Sequence, residues 1–242
     1  AALRAAAMNP PSILITGCSS GIGLCAAEGL AARGYRVFAT ARKAQDVAML
    51  QAKELEALQL DLDDSASIQA ALDEVLARTG GRLDALFNNA GYGQPGAVED
   101  LSRSALRAQF ETNLFGMIEL PNRVIPVMRR HAAARIIINS SLLGYVALAY
   151  RGAYNASKFA IEGITDTLRL ELRGSGVHVS LVEPGPIKSR FRANAFGMYQ
   201  RNIEAEHSFH RDTYHALEQR LTQAGPVAPF TLGPEAVLEK II

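Results

Sequence analysis

The chain has 242 residues, 48% of them hydrophobic and 20% charged, and its 25 basic side chains offset 24 acidic ones to leave a formal charge of +1. A near-neutral chain without a basic block has no electrostatic footprint for nucleic acid or an anionic membrane surface, so small molecules are the expected partners. Cys18 and Cys25, the only cysteines, share one glycine-rich stretch; they fit neither a secreted disulfide framework nor a Cys-x-x-Cys metal knuckle, and a reducing, cytoplasmic setting is expected.

Ala1 to Ala7 contain one arginine and no apolar core of the signal-peptide kind. They are expected to be an extraneous remnant before a native start at Met8, with 8–242 a single domain. No run approaches the roughly 18 consecutive apolar residues of a membrane span.

Ser12 to Thr16 is a short apolar run that ends in glycines, and Leu24 to Gly34 carries apolar residues at helical spacing, which reads as strand, tight turn and helix. Arg36 to Ala41 is a second strand, Val47 to Lys53 a short helix, and Glu56 to Leu60 leads into the acidic stretch Asp61 to Asp64. Ser65 to Arg78 is helical by period, and Leu83 to Phe87 is a strand stopping at Asn88-Asn89-Ala90-Gly91. Leu101 to His131 predicts a long helical region that Pro121 and Pro126 should kink or break, because proline lacks the N–H and clashes with the preceding turn. Arg135 to Asn139 is a buried strand, Gly152 to Arg173 a helix ending before Gly174, Val177 to Val182 a strand, and Pro234 to Ile242 a final helix. Continuous apolar strands alternating with helices predict an α/β fold: a doubly wound parallel sheet of the Rossmann class, covered on both faces.

Residues 187–229 break that rhythm with Phe191, Phe196, Met198, Tyr199, Phe209 and Tyr214. They read as a substrate lid over the ligand edge of the sheet, or alternatively as a surface helix pair with ordinary core aromatics.

The first turn runs Thr16-Gly17-Cys18-Ser19-Ser20-Gly21-Ile22-Gly23. Glycines there let the backbone approach a pyrophosphate at a helix N-terminus, although the spacing differs from G-x-G-x-x-G and a glycine cluster alone can be only a turn. An acidic residue ending the second strand would bind a ribose 2′-hydroxyl and repel a 2′-phosphate. That end reads Thr40-Ala41-Arg42-Lys43, so Arg42, helped by Ser20 and Lys43, is suited to a phosphate dianion, and NADP(H) is expected over NAD(H). The alternative is a solvated helix start. Tyr154 and Lys158 lie four apart on one helix face, where an ammonium would lower the phenol pKa from its usual ~10 and make the tyrosine a usable acid or base. Such pairs also occur on helices without function. His131, His178, His207, His210 and His215 lack a third ligand at metal spacing, and no metal is expected.

Taken jointly, T-G-x-x-x-G-I-G at 16–23, N-N-A-G at 88–91, Asn113, Ser141 thirteen residues before Tyr154, Y-N-A-S-K at 154–158 and P-G at 184–185 resemble the short-chain dehydrogenase/reductase family. The resemblance covers Ser12 to about Arg190. Closer wording in G-C-S-S-G-I-G-L, S-K-F-A-I-E-G and H-V-S-L-V-E-P-G-P is similar to the branch of 17β-hydroxysteroid and retinol dehydrogenases.

The resemblance implies hydride transfer between a nicotinamide and a carbonyl or alcohol. Tyr154 would exchange the proton, and Lys158 would lower its pKa and bond the nicotinamide ribose. Ser141 would orient the carbonyl, and Asn113 would hold a water leading from Lys158 to solvent. Gly17, Ser19, Ser20, Gly21, Ile22 and Gly23 would cradle the cofactor phosphates, with Asp61 and Leu62 on the adenine and Asn89, Ala90 and Gly91 along the ribose. Pro184, Gly185 and Ile187 would position the nicotinamide, with Ser189 where the family often has threonine. It also implies a homodimer or homotetramer through the helices of 101–131 and 152–173, and a further strand after Pro234 to Ile242 that this sequence does not contain. Leu142, Leu143, Tyr145, Val146 and Tyr150, with Phe191, Phe196 and Met198 of the lid, suggest a pocket for a lipophilic, steroid- or retinoid-like substrate, though they fit a core or subunit interface as well. The rival expectation is a non-catalytic NADP(H)-binding sensor or scaffold, against which the intact Ser141, Tyr154 and Lys158 argue.

Overall fold

A computed structural model describes residues 10–131 and 133–242; the expected remnant 1–7 and the start at Met8 lie outside the described residues. Six strands form one parallel sheet: β1 Ser12–Ile15, β2 Arg36–Ala41, β3 Glu56–Gln59, β4 Ala85–Asn88, β5 Ala134–Asn139 and β6 Val177–Val182, in the order β3-β2-β1-β4-β5-β6. Alternation along the strands divides the core. Leu14, Phe38, Leu86 and Ile136 face the helices α3 Ser65–Thr79, α5 Met117–Met128 and α6 Gly152–Glu171, through Ile68, Leu72, Leu120, Val124 and Ile161. Ile13, Ile15, Val37 and Phe87 face α1 Gly21–Ala31, α2 Ala44–Gln51 and α9 Glu235–Ile241, through Ala27, Leu30, Leu50 and Leu238. Each fully buried aliphatic side chain stabilises this sandwich by about 1.5–3 kcal/mol relative to exposure.

β1 lies between β2 and β4, so the chain leaves it toward one edge and later returns to its other side. A crevice therefore opens at the carboxyl ends of β1 and β4, where ligands bind in open α/β sheets. Every motif of the sequence converges on that edge.

The long helical region differs from expectation. α4 Arg103–Phe110 passes through a π-helical stretch, Glu111–Gly116, into α5, and α5 continues across both Pro121 and Pro126. Pro121 cannot bond the carbonyl of Met117 four residues earlier. Asn88, at the end of β4, donates its Nδ2 to that carbonyl at 2.6 Å. Asn122, four residues before Pro126, is exposed. The irregularity thus sits upstream of the prolines, at Asn113.

Residues 187–229 form a helix pair, α7 Phe191–Asn202 and α8 Arg211–Thr222, with a small core of their own in which Tyr199 and Tyr214 are buried against Leu101, Ala105 and Ala153. The Tyr214 hydroxyl accepts from the Ala97 N–H at 2.9 Å and donates to Asp100, and Ser208 donates to the same carboxylate at 2.6 Å. These two bonds hold Asp100 below the usual carboxylate range. Tyr199 and Tyr214 are thus core residues, whereas Phe209 is exposed. No described helix is long and apolar enough to cross a membrane.

Candidate active site

The turn after β1 is set by its glycines. Gly17 has φ +73°, and a Cβ there would stand 2.8 Å from Ala90 Cα, so only glycine admits the adjoining β4 loop. Cys18 N–H donates to the Thr40 carbonyl at 2.8 Å, which fixes the turn beside the end of β2. α1 then begins at Gly21, earlier than the expected Leu24; its first turn carries no acidic residue, and the Ser20 side chain does not cap it. Its free N–H groups and positive dipole end make this an anion-binding position. Gly21 at φ +58° lies against Ser189, whose Cβ would be 2.8 Å from an added methyl. Ser19, Ser20 and Ile22 line the same start, and Arg42 and Lys43 are exposed beside it. This cradle fits the diphosphate of a dinucleotide.

Thr16 ties β1 to β4: its Oγ1 accepts from the N–H groups of Asn89 and Ala90 at 2.8 and 2.9 Å. The Asn89 Nδ2 donates to the Thr16 carbonyl at 2.9 Å and its Oδ1 accepts from Asn139 at 2.9 Å, so its side chain builds the floor of the cradle. Asn139 Oδ1 is buried with no partner among the described residues, a free acceptor on that floor. Asp61 is half-buried and accepts from the Asp63 N–H at 3.1 Å. The Leu62 side chain is 5% exposed within the core, so only its backbone can face an adenine. Gly91 is exposed. The Pro184 carbonyl accepts from Leu142 N–H at 3.0 Å; Gly185 is exposed, Ile187 packs partly against the α1 face, and Ser189 Oγ accepts from Phe191 N–H at 3.3 Å.

Ser141, Tyr154 and Lys158 come together behind this cradle, all buried, at 8, 8 and 3% exposure. Ser141 Oγ accepts from Leu143 N–H at 3.1 Å, which leaves its own proton free to donate. Burial pushes the Tyr154 phenol up to about 12, and the neighbouring Ser141 hydroxyl opposes that rise. Phe191 of α7 meets the Tyr154 ring edge-on, centroids 5.4 Å apart, and screens it from water.

Lys158 meets both the end of β5 and the Tyr154 ring. Its ammonium donates to the Asn139 carbonyl at 2.7 Å and lies 5.7 Å from the centre of the Tyr154 ring. Burial draws its own pKa down to about 8, with Glu162 opposing. Burial of both groups therefore favours a neutral phenol.

Asn113 sits in the π-helical stretch, fully buried. Its Oδ1 accepts from Tyr92 N–H at 3.0 Å, and its Nδ2 donates to the Tyr92 carbonyl at 2.8 Å and to Ser157 Oγ at 3.4 Å. Ser157 in turn donates to the Tyr154 carbonyl at 2.8 Å. The Asn113 side-chain amide is thus a clamp that joins the β4 loop to α6. Sequence reasoning missed Tyr92, Asn139 and Ser157 as site residues; a polar residue closing the apolar run of β5 was the available signal for Asn139. No group of three metal-binding side chains occurs among the described residues.

The family model described as short chain dehydrogenase matches residues 11–200. The chain is 42% identical over 230 residues to the uncharacterized oxidoreductase YbbO of Escherichia coli (strain K12), covering 95% of this chain and 79% of that protein. It is 37% identical over 213 residues to 17-beta-hydroxysteroid dehydrogenase type 1 of Homo sapiens, covering 82% of this chain and 64% of that one. A solved short chain dehydrogenase/reductase from Burkholderia phymatum in complex with NAD superimposes with a TM-score of 0.79 at 26% identity, over 96% of this chain and 84% of that one.

Proposed function

The chain belongs to the short-chain dehydrogenase/reductase family, which exchanges hydride between a nicotinamide cofactor and CH–OH or C=O groups, and from that premise we propose that it is an NADP(H)-dependent reductase of lipophilic carbonyls. The observation that carries the reading is the burial of Ser141, Tyr154 and Lys158 together beside the glycine cradle. When bound, the nicotinamide supplies the hydride. The hydroxyls of Ser141 and Tyr154 donate to the carbonyl oxygen and bind it more tightly as it becomes anionic, which lowers the barrier rather than only fixing the ground state. Tyr154 gives its proton to that oxygen, and its phenolate is stabilised by the Lys158 ammonium. A phenol held neutral at rest is in the protonation state that carbonyl reduction requires. Asn113 holds the β4 loop and α6 in register for this transfer.

The preference for NADP(H) rests on Arg42 and Lys43, exposed at the end of β2, which the Cys18–Thr40 hydrogen bond ties to the first turn, and on the lack of a carboxylate in Thr40-Ala41-Arg42-Lys43 to repel a 2′-phosphate. The lipophilic substrate rests on Leu142, Tyr145, Val146 and Leu148, which leave apolar surface 47–60% exposed just after Ser141, and on Phe191 opposite. The pair α7 and α8 serves as the lid over this surface. A homodimer or homotetramer is supported by Phe115, Phe159 and Ile164, apolar and exposed along the π stretch and α6; sizing at known concentration tests it. The 17β-hydroxysteroid relative favours a steroid-like substrate.

The test is NADPH oxidation with a panel of hydrophobic ketones and aldehydes, for the wild type and Tyr154→Phe. The wild type turns over; the variant loses at least about a hundredfold in kcat while keeping its affinity for NADPH. Equal turnover in the variant rejects the role of Tyr154. Cofactor binding by the wild type with no turnover on any substrate favours the sensor or scaffold.

A further inference from the structure

A carboxyl group that the proton transfer does not use lies within the same site. Glu162 follows Lys158 by one turn of α6, which puts both on one helix face, and it is 7% exposed. One of its oxygens accepts a hydrogen bond from the hydroxyl of Ser140, the residue before Ser141. The other, Oε2, is buried with no partner among the described residues. Gly144 closes the 3-10 turn that follows Ser141, and a Cβ there would stand 2.9 Å from Glu162 Oε1 and 3.0 Å from Ser140 Oγ. The turn that presents Ser141 is therefore seated on the carboxyl group. A buried charge with one oxygen unsatisfied is costly, and a neutral amide of the same shape would seat the turn as well. Its charge needs a reason, and Lys158 is one turn away.

We propose that Glu162 is a positioning residue for the reaction: it anchors the turn carrying Ser141 and, as a negative charge beside Lys158, sets the proton affinity of the Tyr154/Lys158 pair. The proposal rests on that pair carrying the proton, as argued above. The ionisable groups around Glu162 are Lys158 and Asp166 on α6, Tyr145 after β5, and Glu183 after β6, with Arg169 acting on Glu183. Lys158 is the only cation among them adjacent to the proton-transfer step. Its burial drives the ammonium toward neutrality, and Glu162 opposes this. Removing the negative charge lets both Lys158 and Tyr154 give up protons at lower pH.

The experiment is the pH profile of kcat for NADPH-dependent reduction, with the best carbonyl of the panel, in wild type, Glu162→Gln, Glu162→Asp and Ser140→Ala. In Glu162→Gln the alkaline limb moves down by about one to two pH units, the order expected for removing one charge about 6 Å away. Its plateau stays within about twofold, because the amide oxygen still accepts from Ser140 and seats the turn, and its NADPH dissociation constant, read by fluorescence, also stays within about twofold. Glu162→Asp keeps the charge and restores the limb to within about 0.2 unit of wild type while kcat falls. Ser140→Ala keeps the charge and lowers kcat without moving the limb. A folded Glu162→Gln with the limb of the wild type overturns the proposal. Should that variant not fold, wild-type kcat in both Glu162→Asp and Ser140→Ala overturns it equally. A wild type that turns over no substrate refutes the premise and the proposal with it, whereas an active wild type with an unaltered Glu162→Gln refutes the proposal alone.

Discussion

Replacing Lys158 with methionine separates the cost of the buried charge from its use. Lys158 is 3% exposed and its pKa falls from 10.5 to about 8, a difference of about 2.5 units, or roughly 3 kcal/mol at neutral pH. The sign follows from proton counting. Between about pH 8 and pH 10.5 the unfolded chain holds this proton and the folded chain has released it, so native stability rises with pH through that window. Methionine has nearly the same length and no charge, but it leaves the Asn139 carbonyl without the 2.7 Å bond from Nζ, a loss of about 1–3 kcal/mol. At pH 7 the variant is therefore expected to be as stable as wild type or up to about 2 kcal/mol more stable, although inactive. The pH dependence is the sharper quantity, because the lost bond cancels from it. Urea unfolding of both proteins at pH 7 and pH 10 should show the stability of the variant relative to wild type dropping by about 2–3 kcal/mol at the higher pH. A difference that stays constant across that range would mean that burial does not depress Lys158, and the account of the resting site would fail.

Arg42→Asp should reverse cofactor preference, lowering the NADP(H)-to-NAD(H) affinity ratio at least tenfold, about 1.4 kcal/mol, in fluorescence titrations; an unchanged ratio removes Arg42 from the cofactor site. Asn88→Ala leaves the Met117 carbonyl, already deprived of a donor by Pro121, unpaired in the core, and should cost about 1–3 kcal/mol by denaturant unfolding. The same variant with Pro121→Ala should recover part of that loss, since the helix can then supply its own N–H. Tyr214→Phe removes the acceptor of the buried Ala97 N–H and the link to Asp100. Limited proteolysis should then cut within 187–229 sooner, and KM for the carbonyl should rise while KM for NADPH does not; equal cutting rates would show that this hydroxyl does not hold the helix pair in place.

Much of the architecture is a local property of the chain. Buried runs such as Ile13 to Ile15 and Ile136 to Ile138 are strands because both faces of a parallel sheet are covered, and the helical period between them leaves few topologies. Glycine at 17 and 21 marks a turn that L side chains cannot make, and the Tyr154/Lys158 spacing places two groups on one face whatever else the fold does. Helix starts were less legible. α1 begins at Gly21 and α2 at Ala44, each three residues before the apolar periodicity becomes visible, because a first turn does not need buried side chains.

What tertiary structure alone decided is which partner each polar group meets. Asn88 and Met117 are 29 residues apart, Thr16 and Asn89 are 73, and no local pattern announces that one rescues a proline and the other closes a cradle. The same holds for Lys158: its spacing puts it on the helix face of Tyr154, and only the fold adds the Asn139 carbonyl as its hydrogen-bond partner. Sequence determines which residues can ionise; only packing determines how much water they lose, and in this site that loss is the largest influence on both Tyr154 and Lys158.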